Sequence, residues 1–140
     1  MKKTNLRVSK NEMKHSSRGI FAYRNRKPIQ MLKGGHGQRN VDYLKKHRLA
    51  FGIDEILRNG VRYGHIQNHK RSNERKNRGH AWFPEKWSDV TIKNAGEHVA
   101  NLKNNRKMKN HVPMHGRYKG VDVVTYKVIP RTGPCSTGCI

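Results

Sequence analysis

The stretch Arg78-Gly79-His80-Ala81-Trp82-Phe83-Pro84-Glu85-Lys86-Trp87-Ser88-Asp89 gathers both tryptophans, a phenylalanine and a proline in a chain otherwise poor in large apolar residues. Ser88 suits the start of a helix, because its hydroxyl can accept a free backbone N–H of the first turn. Asp89 then meets the positive end of the helix dipole. Ile92, Ala95, Val99 and Leu102 follow at spacings of three and four, which puts one apolar face on a helix over 88–102. On the other side lies a dense run of Lys, Arg, Asn and His. The block therefore reads as a packed hinge between a basic loop and a core helix.

C-terminal to that helix, Lys103 to Met114 reads as a basic connector. Tyr118-Lys119-Gly120 predicts a turn, and the β-branched run Val121-Asp122-Val123-Val124-Thr125-Tyr126-Lys127-Val128 predicts a strand. Arg131-Thr132-Gly133-Pro134 turns the chain again, leaving 135–140 as a final short strand. N-terminal to the block, residues 67–79 form a polar basic loop. Asn59-Gly60 is the strongest hairpin signal, leading into a strand over 61–66, with 53–57 open to strand or helix. Asn40 is placed to cap a helix to about His47, with Val41 and Leu44 inward. Gly34-Gly35-His36-Gly37 predicts a tight turn, since glycine accepts backbone angles other residues resist. Residues 1–33 are polar, basic and without clear periodicity, apart from Ile20, Phe21 and Tyr23, which suit one short strand or a clip. They are expected to form a flexible arm in front of a domain over 34–140. The fold class is α+β, with an antiparallel sheet concentrated late.

With 140 residues and 33% of them hydrophobic, the chain has room for one small core. Thirty-one Lys and Arg oppose nine Asp and Glu, a formal charge of +22. Such a field attracts polyanions, and nucleic acid is the default partner. No apolar run is long enough to cross a bilayer, and no hydrophobic region follows Met1-Lys2-Lys3-Thr4-Asn5 to make a signal peptide. Cys135 and Cys139 alone do not make a four-ligand metal site and are expected to be free thiols.

Nine histidines beside scattered single acids favour one chemistry. Two-metal nucleases need clustered carboxylates for hard cations, and Asp42, Asp54, Glu55, Glu74, Glu85, Asp89 and Glu97 are scattered along the sequence, with Asp54 and Glu55 as one adjacent pair. RNA offers a metal-free route. A neutral histidine takes the 2′-hydroxyl proton, a protonated one serves the departing 5′-oxygen, and a lysine steadies the phosphate. His36 in its glycine turn and His69 in Asn68-His69-Lys70-Arg71 are the first candidates, with His65 and His80 as the second pair. Lys70, Arg71, Arg75, Lys76 and Arg78 are the expected phosphate-binding cations. The plain alternative for each histidine is a solvated surface group among cations. Zinc competes for the same residues through His65-x3-His69 and His111-x3-His115, but both segments read as strand or loop rather than helix. No metal and no cofactor are expected.

Several segments resemble the bacterial EndoU-type nuclease domain. They are Gly35-His36-Gly37-x-x-Asn40, Asn59-Gly60-Val61-Arg62, Asn68-His69-Lys70, Ala81-Trp82-Phe83-Pro84-x-x-Trp87-Ser88, Ala95-Gly96-Glu97 and Gly116-x-Tyr118-Lys119-Gly120-Val121. Such domains form the C-terminal warheads of polymorphic and contact-dependent toxins. The resemblance, from about residue 34 onward, implies a fold similar to barnase-, colicin- and RelE-like ribonucleases: a helical N-terminal part followed by a twisted antiparallel sheet. It also implies a site of two histidines, a lysine and a threonine, carried over here to His36, His69, Lys119 and Thr137. Cys139 and Ile140 stand where that family's ending has an aromatic residue and a proline.

The expected function is a metal-independent endoribonuclease, a toxin domain acting on RNA, tRNA above all, in the cytoplasm of a target cell. Cleavage by transesterification would leave 2′,3′-cyclic phosphate and 5′-hydroxyl ends. An acidic immunity protein is the expected inhibitor, and delivery within a larger toxin the expected route. The alternatives are a non-catalytic basic RNA-binding protein of ribosomal or assembly type, and a DNase toxin.

Overall fold

The computed structural model describes residues 6–128 and 136–139, with Val128 and the 136–139 strand as backbone only. In order, the elements are α1 (Lys10–Met13), a π-turn (Lys14–Arg18), β1 (Ile20–Arg24), β2 (Lys27–Lys33), α2 (Gln38–Lys46), β3 (Phe51–Ile56), β4 (Arg62–Ile66) and a 3-10 turn (Ser72–Arg75). β5 (His80–Trp82), α3 (Asp89–Ala100), β6 (Met114–Tyr118), β7 (Val121–Val128) and β8 (Ser136–Cys139) complete the chain. The strands make three antiparallel sheets, β1-β2, β3-β4-β5 and β6-β7-β8.

The α+β class holds, but the helices are not gathered at the N-terminus. The β1-β2 hairpin precedes α2, and α3 lies between two sheets. Residues 10–33 are not a loose arm. Phe21 and Met31 on the hairpin are buried, Met31 completely, and the backbone of Met31 bridges to His69. The apparent lack of periodicity came from bulges in the β1-β2 register, which break the strict alternation that marks a strand.

Trp82 and Phe83 turn out to divide the molecule. Trp82 belongs to a core with Phe21, Met31, Val41, Leu44 and Ile66. Phe83, one residue on, belongs to a second core with Ile92, Ala95, Val99, Met114, Val121 and Val123. Ser88 caps α3 as its sequence indicated, accepting from the Thr91 N–H. Leu102 falls beyond the last turn of α3 and is partly exposed. Asn40 does not cap α2, whose N-cap is Gly37. It is fully buried instead, donating to the Arg18 carbonyl and accepting from Trp82 Nε1. The 131–134 turn, Cys135 and Ile140 lie outside the described residues.

Candidate active site

Gly34 and Gly35 both adopt φ of 72°, in the left-handed region where a Cβ is unfavourable. A Cβ at Gly34 would fall 2.1 Å from the His15 carbonyl oxygen and 2.6 Å from the His15 ring, so the glycine makes room for both. The segment is pinned from two sides. Gly35, His36 and Gly37 donate their N–H groups to the carbonyls of His15, Ser16 and Ser17 in the π-turn. The His36 carbonyl accepts from Phe83, just past β5. A glycine turn and the Trp-Phe block, far apart in sequence, are thereby fastened together.

Three histidines meet at this junction. The His36 ring stacks on His80 at 4.8 Å, and His69 lies 6.0 Å from His80. His80 also meets the Trp82 ring edge-on. Glu74 bridges the group, 2.7 Å from His80 Nδ1 and 3.2 Å from His69 Nε2. The other nitrogen of His80 faces the Gly35 carbonyl at 2.7 Å. With a carboxylate on one side and a carbonyl on the other, only the doubly protonated ring of His80 satisfies both.

His36 is arranged differently. Its Nδ1 lies 2.6 Å from the Ala81 carbonyl, which cannot donate, so Nδ1 carries the proton. Nε2 keeps its lone pair and has no hydrogen-bond partner among the described residues. Burial, and then the charge of His80, pushes the ring down to about 3, against the weaker pull of the Ala81 hydrogen bond and Glu74. His36 is thus a neutral imidazole with its free nitrogen defined, and at 8% exposure it touches solvent more than His69 or His80 does.

His69, expected to share proton transfer with His36, is fully buried. Its Nδ1 accepts the Arg71 N–H, which leaves the proton on Nε2, at ion-pair distance from Glu74 but without hydrogen-bond alignment. Burial lowers its proton affinity, Glu74 pulls it back, and His80, Arg71 and Arg75 depress it further. Nδ1 is engaged and Nε2 is enclosed, so neither nitrogen is open to a substrate and His69 supports the site from behind. Burial alone would raise the Glu74 carboxyl. The hydrogen bond from His80 and the charge of His80 outweigh it and hold it below the usual value.

His69, Glu74 and His80 place their ligand atoms within 4.8 Å of one another, near enough for a metal. The Arg71 N–H on His69 argues for a proton-bonded network instead, because Nε2 must lose its hydrogen before it can ligate. Neither spacing noted in the sequence, His65-x3-His69 or His111-x3-His115, contributes a pair to this cluster.

The second candidate pair is not brought together. His80 lies opposite Gly64 in the β4-β5 register, on the buried face with Arg62, Ile66 and Trp82. His65, one residue along β4, points to the other face. There it is held by both oxygens of Asp54. Lys119 stands exposed at the tip of β6-β7 with its ammonium over the Tyr118 ring, and no contact joins it to the histidines. Thr137 lies on β8 opposite Lys127. Of the expected phosphate-binding cations, Lys70, Arg71 and Lys76 are exposed. Arg78 is engaged with Glu55 and the Tyr63 ring, and Arg75 reaches back to the His69 carbonyl.

Sequence reading missed the bridging role of Glu74, the buried role of Asn40 and the His36-His80 stack. Glu74 in a basic loop carries no spacing signal, and the stack joins residues 44 positions apart. The cluster also predicts acid lability. His36 has a folded-state value below its ordinary 6.5, so the unfolded chain binds more protons as pH falls. Stability should be full above about pH 6.5 and decline toward pH 3, with His36 alone contributing up to about 1.4 kcal/mol per pH unit. Glu74, also depressed, adds to the loss below the normal carboxylate range. Urea midpoints between pH 8 and 4 test this, and a flat profile would refute it.

No helix among the described residues is long and apolar enough to cross a membrane. Comparison with curated proteins and with solved structures returns no match. A family model described as bacterial EndoU nuclease matches residues 10–134, beginning inside the stretch first read as an arm and spanning the hairpin, the histidine cluster and both cores. The chain belongs to the bacterial EndoU nuclease family.

Proposed function

We propose that this nuclease cuts RNA by metal-independent transesterification, with His36 as the base that takes the 2′-hydroxyl proton. The observation that carries this reading is the one-sided anchoring of His36, Nδ1 tied to the Ala81 carbonyl and Nε2 left free. A general base needs that tautomer. A pKa near 3 is low for the task, but an RNA phosphate brought against the ring adds negative charge and raises it toward the working range. Among the described residues around His36 only Glu74 brings a carboxylate to the cluster, whereas a two-metal site needs several. His80 and Glu74 hold the ring from behind.

Lys119 is free of ion pairs among the described residues and supplies positive charge as the phosphate becomes dianionic. Thr137 is the hydroxyl candidate beside it in the resemblance. The same resemblance points to tRNA as the substrate and to a toxin role in a target cell. The +22 charge fits RNA and also an acidic inhibitor protein. Association with such an inhibitor should slow as salt rises, and an on-rate indifferent to salt would remove charge from its recognition.

The test is incubation with total RNA in EDTA, followed by analysis of the ends. Cutting with 2′,3′-cyclic phosphate and 5′-hydroxyl products supports the reading. Loss of cutting in EDTA, restored by manganese or zinc, would overturn the metal-free mechanism. Intact RNA with bound protein would favour the RNA-binding alternative, and cleavage of DNA alone the DNase.

A further inference from the structure

The β1-β2 hairpin ends in a basic tip that takes no part in the histidine cluster. No acidic residue lies between Glu12 and Asp42, so this part of the chain carries nothing to neutralise its own cations. Arg24, Arg26 and Lys27 stand exposed at the tip, without an ion-pair partner among the described residues. Asn25 and Arg26 form the two-residue loop, with φ of 50° and 65°, the signs a type I′ turn requires. Asparagine accepts such angles, and glycine is the usual second residue. Arginine there costs backbone energy, so the turn itself gives no reason for it.

Beside the tip lies an aromatic pair. The Tyr23 hydroxyl on β1 meets the Tyr43 hydroxyl on α2 at 2.8 Å. Tyr43 is packed against Phe21 at 5.0 Å and His47 at 4.4 Å, with the Arg18 guanidinium over its ring at 5.1 Å. Tyr23 differs: it is 47% exposed, and its ring makes no ring or cation contact among the described residues. Tethered by its hydroxyl, it presents a flat face to solvent next to Arg24. Arg18 ends the π-turn that fastens the glycine-histidine turn, so the aromatic pair adjoins the junction. β2 leads from the tip back to that turn, about 20 Å at the usual rise of a strand.

We infer that the hairpin tip and Tyr23 form a docking surface for single-stranded RNA. One unpaired nucleobase lies on the Tyr23 ring, and its flanking phosphates meet Arg24, Arg26 and Lys27. Every base has a π-face, so such stacking tolerates any sequence, and a guanidinium matches phosphate oxygens. An acidic protein would need the cations alone, whereas a base also needs the ring. The separation from the glycine turn places this nucleotide several positions from the bond that is cut. The surface thus selects RNA with an unpaired stretch near the cleavage site. The inference rests on the ribonuclease reading for its partner and is independent of how the bond is broken.

The test measures binding to 2′-O-methyl oligouridine, which lacks the free 2′-hydroxyl that cutting needs, and to an abasic oligonucleotide of the same length and backbone. Tyr23→Ala should weaken oligouridine binding by about 5- to 150-fold and leave abasic binding unchanged. Tyr23→Phe keeps the ring and should bind both as wild type does. Arg26→Gly should weaken both and lower the slope of log affinity against log salt by about 0.7. Its melting temperature should be no lower than wild type, because glycine suits the turn. Equal loss on the two ligands by Tyr23→Ala, equal weakening by Tyr23→Ala and Tyr23→Phe, or unchanged oligouridine binding by Tyr23→Ala overturns the surface. Incubating the wild type with total RNA alongside separates the two proposals. Base-dependent binding without cutting keeps the surface and removes the ribonuclease reading, and cutting with none of these binding losses does the reverse.

Discussion

Replacing His36 with alanine should lower RNA cleavage by about 10²–10⁴-fold while RNA affinity changes little. The base is lost, but the surface cations that hold phosphate remain. His36→Gln separates chemistry from folding, since an amide can still donate a hydrogen bond toward Ala81 but cannot take up a proton. A melting temperature near wild type with cleavage still abolished is the expected outcome for that variant. Lys70→Ala and Lys76→Ala should behave in the opposite way, weakening RNA binding and reducing the slope of log affinity against log salt by about one each. Lys119→Ala should reduce turnover at saturating RNA more than affinity, because its charge counts most in the transition state. His69→Ala should act mainly through stability, as the side chain is fully enclosed. Normal cleavage by both His36 variants would remove His36 from the mechanism.

The second large effect is on stability. Trp82→Ala should destabilise the fold by about 3–5 kcal/mol from lost burial and the cavity left behind. The Trp82 ring is 1% exposed and packs against Phe51 and His80. Its Nε1 donates to the buried Asn40 oxygen at 2.9 Å, and orphaning that acceptor costs about another 1–3 kcal/mol. Domains have roughly 5–15 kcal/mol in total, so the variant should be partly unfolded at physiological temperature. Trp82→Phe keeps most of the apolar area and loses the hydrogen bond, so its cost should lie between wild type and alanine. Urea midpoints of the three proteins rank them. A Trp82→Ala midpoint close to wild type would mean that the two cores do not depend on this residue. Because Trp82 is the neighbour of Ala81, which anchors His36, cleavage should fall with the folded fraction.

Local chemistry and periodicity made much of the chain legible. The Ser88 cap and the Ile92, Ala95 and Val99 stripe gave α3; Asn59-Gly60 gave the β3-β4 turn; and the β-branched run gave β7. Charge pointed to nucleic acid, and the Gly-His-Gly turn marked His36. Each of these signals lies within one element or one turn, where spacing along the chain equals spacing in space.

The tertiary structure decided the rest. Bulges hid the β1-β2 hairpin, so 10–33 looked like an arm until long-range burial of Phe21 and Met31 placed it in the core. Asn40 looked like a cap because capping is a local rule, yet a buried Trp82 N–H needed an acceptor and claimed it. The histidine pairs could not be chosen from sequence, since that choice depends on which face of a strand or turn each ring occupies. One residue of offset on β4 sends His65 to solvent while His80 faces the core. Backbone hydrogen bonds from residues 35–37 to the π-turn fix the turn that brings His36 beside His80. The sequence by itself determined which residues could carry protons and that the partner is anionic. Only the three-dimensional packing determined which nitrogens are tied, which are buried and which are free, because those are properties of neighbours distant in the chain.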